Sequence, residues 1–355
     1  MSENKLNVDE ANLSVDLSDA TQAVKENRFQ DAINLLKIIL KDHPTNIDSL
    51  YLAAVSSRYL KYFEESKEYI EALLLNAPDM GRAYQELGHL NRDMGNVEMA
   101  IRHYRQACEH NPALIASWNS LYQYFLKDKN QTAADHALNQ LNTLKSLPGS
   151  LLYIHQVLNE GRLGLAERKC RAFLKDNPTN TYAMSLLSDI ANRLGYFDDA
   201  EFLLEKAVEF KPNDGDLRLK FASILRKKQK FSKTMEQVNI LCDQYPDNQV
   251  YQAHKASEIM QNGGHEEAIT ILDNILNNNP YNFSSLTSKG HAQKTLGKTE
   301  QAIESYRSAY KIRQDHGEAF FSLANLKTYS FNNEELNNMR YQVERLDLSL
   351  QDKAY

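Results

Sequence analysis

Small and large apolar residues recur along this chain at offsets that short, paired helices satisfy. In one stretch Tyr84, Leu87 and Gly88 precede a break at Gly95, and Ala100, Tyr104 and Ala107 follow it. Steps of three and four residues place each trio on one helix face, with charged residues on the other side. The pattern returns about every 34 residues. Ala20, Ala54, Gly88, Ser188, Ala222, Ala256 and Gly290 mark a first helix in each period. Ala32, Ser66, Ala100, Ala166, Ala200, Thr234, Ala268 and Ala302 mark a second. A small side chain at each mark lets the two backbones approach closely.

Breakers separate the helices. The eight prolines, Pro44, Pro78, Pro112, Pro148, Pro178, Pro212, Pro246 and Pro280, are spaced by 34, 34, 36, 30, 34, 34 and 34 residues. Proline lacks an amide hydrogen and drives its predecessor out of the helical region, so each one stops a helix. Two residues later, Asn46, Asn180, Asp214, Asn248 or Asn282 offers a side chain to the first-turn amides of the next helix. Inside the units, Gly95, Gly161, Gly195, Gly263 and Gly297 supply the left-handed residue that ends a first helix.

The pattern predicts two-helix units starting at Leu13, Ile47, Gly81, Ile115, Leu147, Thr181, Gly215, Gln249, Phe283 and Gly317, the tenth fading after Thr328. The fourth unit is short, and bulky Tyr122 and Ile154 stand at small-residue marks, so a distorted junction is expected over 122–154. The expected organisation is a polar tail over 1–12, four units over 13–146, six units over 147–350 and an end over 351–355.

These marks resemble the tetratricopeptide repeat family over roughly Leu13 to Leu350, with Thr234 and Gln314 as departures. The resemblance implies an all-α, right-handed α-solenoid superhelix of nine to ten helix-turn-helix hairpins. A hairpin cannot bury its apolar stripe alone, and stacked neighbours leave a concave groove as the recognition surface. In that family the first helix lines the groove, and the expected function is protein–protein interaction.

Composition narrows the partners. Net charge is −6, with 41 Lys and Arg against 47 Asp and Glu, which argues against nucleic acid as the main partner. Apolar runs such as Leu50–Val55 are too short to span a bilayer. The polar, acidic start is unlike a secretory signal. Three widely spaced cysteines, Cys108, Cys170 and Cys242, form no disulfide framework, so a reducing cytoplasm is expected.

Groove-facing positions reverse the overall charge. Lys25, Arg58, Arg82, Arg92, Lys127, Arg193, Arg226, Lys227 and Lys294 stand against Asp48, Asp93, Asp189, Asp216 and Glu318. The candidate partner-binding set is Arg58, Arg82, His89, Arg92, Asn119, Lys127, His155, Asn192, Arg193, Arg226, His291 and Lys294. A polar, mildly basic groove suits an acidic or extended peptide. Tyr51, Tyr59, Tyr182 and Tyr329 also fall on groove positions, where they are available to stack on a ligand.

Catalytic and cofactor motifs are not met. Gly297-Lys298-Thr299 lacks the earlier glycine of a phosphate loop, since Ala292 stands there. His265-Glu266-Glu267 lacks a second histidine, because Ile269 stands at that position. No metal, cofactor or catalytic residue is therefore assigned. The lysine–asparagine clamp for chaperone tails is also missing, with Leu17 and Thr21 at its sites. The segment Gly317–Thr328, followed by Phe331 and Glu334-Glu335, is similar to the last repeats of bacterial proteins that join such repeats to a sulfotransferase domain. That resemblance implies the partner-recruiting half of an enzyme using 3′-phosphoadenosine 5′-phosphosulfate, its catalytic domain lying beyond this chain. Pairing of two chains through a solenoid end near Arg340–Tyr355 is a further expectation.

Overall fold

The computed structural model describes residues 16–344 together with Asp352, Ala354 and Tyr355. The expected tail over 1–12 lies outside them. Every regular element among the described residues is a helix, and the helices pair in chain order. The first unit holds α1 (16–25) with α2 (Phe29–Asp42), α3 (Ile47–Tyr59) with α4 (Phe63–Asn76), and α5 (Gly81–Asp93) with α6 (Val97–His110). It continues with α7 (Ile115–Lys127) and α8 (Gln131–Ser146), then α9 (Gly149–Asn159) and α10 (Leu163–Asp176). The second unit pairs α11 (Thr181–Arg193) with α12 (Phe197–Phe210) and α13 (Gly215–Lys227) with α14 (Phe231–Gln244). It ends with α15 (Gln249–Gln261) and α16 (His265–Asn278), α17 (Phe283–Thr295) and α18 (Thr299–Ile312), and α19 (Gly317–Ala324) and α20 (Asn333–Glu344). The chain is all-α, as the spacing predicts. The two compact units divide at Asp176–Asn177, so the fifth hairpin belongs with the first four.

The predicted punctuation is visible in the backbone. Asn46, Asn180, Asp214, Asn248 and Asn282 each accept a hydrogen bond from a first-turn amide of the helix they precede. Gly95, Gly161, Gly195, Gly263 and Gly297 all have φ between +74° and +87°. Where glycine is missing, Asn27, Lys61, Lys129, Gln229 and Lys327 take the same left-handed conformation. A side chain there costs about 1 kcal/mol, which tertiary packing offsets.

The small marks are the core. Ala20, Ala32, Ala54, Ser66, Ala100, Ala134, Ala166, Ala200, Ala256, Ala268 and Ala302 are fully buried. Ser66 donates its hydroxyl to the Ala54 carbonyl at 2.9 Å, and Thr234 donates to the Lys230 carbonyl at 3.1 Å, so both polar substitutes are satisfied. Two hairpins use a different filling. Tyr104 and Tyr306 are fully buried, and each lies against a glycine. A Cβ on Gly88 would come within 2.6 Å of the Tyr104 ring, and one on Gly290 within 2.5 Å of Tyr306.

The junction departs from the repeat geometry. α8 has 16 residues where most second helices have 14. Only Leu147-Pro148 joins it to α9, which is 11 residues long and lacks a side-chain cap. Instead α9 seats against the α6–α7 link: Gln156 donates to the Ala113 carbonyl at 3.2 Å, and Asn111 donates to the Gln156 carbonyl at 3.4 Å.

Candidate functional site

The first helix of each hairpin presents its second, fifth, ninth, twelfth and thirteenth residues on the face opposite the seam. In the first unit that face folds onto itself. Arg82, second residue of α5, donates from Nη2 to Oε2 of Glu160 at 2.9 Å, with Nε 2.7 Å from Oε1. Asp48, second residue of α3, pairs with Arg162. Arg82 also lies over the Tyr51 ring, 4.6 Å from its centroid. A cavity of about 450 Å³ remains, lined among others by Leu17, Thr21, Gln85, Tyr153 and Val157. Burial raises the Glu160 carboxyl above its ordinary range, with Arg82 and Arg162 opposing.

Arg58 is not a groove cation. Its side chain is 6% exposed, paired with buried Glu86 and, at 2.8 Å, with Asp93. Burial raises the Glu86 carboxyl, and Arg58 pulls it back. The same cluster holds His89. Nδ1 of His89 lies 2.7 Å from the Tyr104 hydroxyl and 3.4 Å from Nη1 of Arg92. A guanidinium can only donate, so Nδ1 accepts and the ring proton sits on Nε2. Burial, together with Arg58 and Arg92, pushes His89 down to about 4. Arg92 is 44% exposed and shares Asp93 with Arg58. Asn119 and Lys127 are exposed, and among the described residues Lys127 has no ion-pair partner. His155 is half-buried on α9.

The second unit pairs neighbour with neighbour. Arg226 meets Glu258 at 2.7 Å, Lys227 donates to Asn192 at 2.8 Å, and Lys220 meets Asp189 at 2.7 Å. His291 repeats the His89 arrangement, its Nδ1 accepting from Tyr306 at 2.9 Å, but its Nε2 faces Glu318 at 3.2 Å. Burial pushes the Tyr306 phenol up to about 12. Arg193 and Lys294 are exposed, and among the described residues Lys294 has no ion-pair partner.

Stacked hairpins with a small-residue seam and a polar first-helix face are the geometry of one repeat family, and three stretches match it: 81–114, 182–214 and 283–316. The family model that matches these three stretches is that of the tetratricopeptide repeat. The tetratricopeptide repeat-containing protein trd-1 of Caenorhabditis elegans is 25% identical over 138 residues, 38% of this chain and 17% of that protein. The chain thus spans about a sixth of that relative's length. Among solved structures, YrrB, described as a TPR protein with an unusual peptide-binding site, is 15% identical with a TM-score of 0.42, over 51% of this chain and 91% of that one. MamA is 16% identical with a TM-score of 0.41, over 45% of this chain and 94% of that one.

Sequence reasoning missed three carboxylates in these repeats. Glu86, Glu160 and Glu258 neutralise Arg58, Arg82 and Arg226, so the count of nine cations against five acids overstates the positive charge. Glu86 and Glu258 lie on buried helix faces, outside the positions counted. A lone carboxylate inside an apolar stripe was the available signal, since such a group is kept only with a partner. The four groove tyrosines are also engaged: Tyr51 lies under Arg82, Tyr59 stacks on Phe29 at 4.4 Å, Tyr329 bonds Glu335 at 2.6 Å, and Tyr182 has interactions of its own. The three cysteines are buried thiols. Gly297-Lys298-Thr299 is the α17–α18 turn. Among the described residues no three His, Cys, Asp or Glu side chains converge to hold a metal ion, and no helix is long and apolar enough to cross a membrane.

Proposed function

We propose that this chain is a non-catalytic interaction scaffold whose first-helix faces take carboxylate-bearing peptide or protein segments. The observation that carries the reading is recurrent: two inner-face guanidiniums, Arg82 and Arg226, each hold a carboxylate from another hairpin, and the buried Arg58 does the same. These pairings support a preference of the face for carboxylates, and Arg82 meets both oxygens of Glu160 in the fork arrangement a guanidinium favours. Lys127, thirteenth residue of α7, and Lys294, twelfth of α17, carry exposed ammonium groups with no ion-pair partner among the described residues. A ligand's acidic side chains would meet these cations in place of a neighbour's.

The test is a fluorescence anisotropy titration with a labelled glutamate-rich peptide, against a lysine-rich peptide of equal length. Saturable binding of the acidic peptide is expected, weakening as salt rises. The double variant Lys127→Glu with Lys294→Glu should lose it while keeping its helical circular dichroism. Equal binding of both peptides, or binding indifferent to the double variant, contradicts the reading.

A further inference from the structure

A guanidinium and a carboxylate of the first unit, Arg82 and Asp48, are held by a single turn. Glu160-Gly161-Arg162 follows α9, with Gly161 at φ +77°, and it carries an acid and a base two residues apart. Opposite them, α3 and α5 each begin with a charge at the second residue, Asp48 and Arg82, in the complementary order. The pairs join residues 78 and 114 apart in sequence. Stacked repeats make contacts mainly with their neighbours, so these contacts exist because the turn returns to the first-helix face.

We propose that this turn is a latch, in which Glu160 occupies Arg82 as an internal stand-in for the carboxylate of an acidic peptide segment that must displace it to bind. This deepens the function proposed above and rests on it. The chemistry of the occupant follows from Arg82, whose side chain is 26% exposed while that of Glu160 is 8% exposed. An acidic ligand exchanges one carboxylate for another, whereas a neutral or basic one would strand a half-buried guanidinium, at substantial cost. Three features make the exchange feasible. Glu160 stands at the C-cap of α9, where the helix dipole disfavours a carboxylate. Its raised carboxyl means that burial outweighs the pull of Arg82 and Arg162. The outer pair is weak, because Asp48 is 37% exposed and Arg162 42%. Tyr51, Gln85 and Gln156 line the adjoining cavity of about 450 Å³ and give a displaced segment somewhere to lie.

The decisive variant is Glu160→Gln in the full chain, titrated with the labelled glutamate-rich peptide and followed by hydrogen exchange at the α9 amides. A latch open about a tenth of the time reduces apparent affinity about tenfold, so the variant should bind about tenfold tighter. Its α9 amides should exchange faster without peptide, and adding peptide to the unaltered protein should reproduce that acceleration. A merely structural role for Glu160 predicts weaker binding in the variant. Equal or weaker binding by the variant, with the unaltered protein binding normally, overturns the latch and leaves the scaffold reading standing. Absence of acidic-peptide binding in both proteins overturns the two together. Should Glu160→Gln fail to fold, Asp48→Asn tests the same latch, with a smaller gain expected, and no gain overturns it.

Discussion

The two units are built from the same hairpin and stabilised differently. Among the described residues of the second, the ion pairs between hairpins join neighbours, as Arg226–Glu258, Lys220–Asp189 and Lys289–Asp273 do. In the first, Arg82–Glu160 and Asp48–Arg162 cross from its second and third hairpins to its fifth. The physical reason lies at the junction. α8 runs two residues longer than most second helices, and α9 starts at Gly149, directly after Pro148, where the other proline links place two more residues; α9 seats against the α6–α7 connection. One altered link therefore converts a locally bonded stack into a unit closed on itself.

Matched substitutions at the twelfth residue of the second and seventh hairpins sharpen this contrast most. Arg58→Ala strands the fully buried Glu86 and should cost about 3–5 kcal/mol in denaturant melts. Arg226→Ala removes a half-exposed partner from Glu258, and about 1–2 kcal/mol is expected. Equal losses would break the comparison. The tyrosine seams should instead respond alike. Gly88→Ala and Gly290→Ala each drive a methyl into a buried ring, costing about 1–3 kcal/mol in either unit.

A pH titration tests the His89 site. His89 has its folded value lowered to about 4 against an ordinary 6.5. Between those values the unfolded chain binds the extra proton, so stability rises with pH from about 4 to 6.5 and falls on acidification through that window. The expected loss is about 1–3 kcal/mol, and His89→Gln should flatten the slope in urea melts across that range. The smallest effect concerns the left-handed turns. Lys129→Gly should stabilise the fourth hairpin by about 0.5–1 kcal/mol, since glycine enters that region freely. No gain in its denaturation midpoint would place the strain elsewhere.

Much of the fold was legible because its determinants are local. Proline stops, asparagine caps, glycine turns and small seam residues act within a few residues of themselves, and every one of the five capping side chains sits where the spacing put it. The tenth hairpin, expected to fade after Thr328, has a short first helix ending at Ala324 and a second helix over Asn333–Glu344. Tyr122 and Ile154 flagged the junction, yet nothing local said that α9 would return to α3 and α5. The site was less legible for the same reason. A helical wheel assigns each cation a direction but not its partner, and Arg58 and Arg82 found carboxylates 28 and 78 residues away. Charge balance on a folded face depends on such distant pairings, which residue counts along single helices omit.

Self-closure of the first unit is most directly tested by a distance. Spin labels on Lys67→Cys of α4 and Lys169→Cys of α10, both exposed, report the span between the second and fifth hairpins by pulsed electron resonance, while the three native cysteines stay buried. The account predicts one narrow distance in the otherwise unaltered chain, lengthened and broadened when Glu160→Gln and Asp48→Asn are added. An identical narrow distribution in both would mean that the ion pairs do not hold the unit closed.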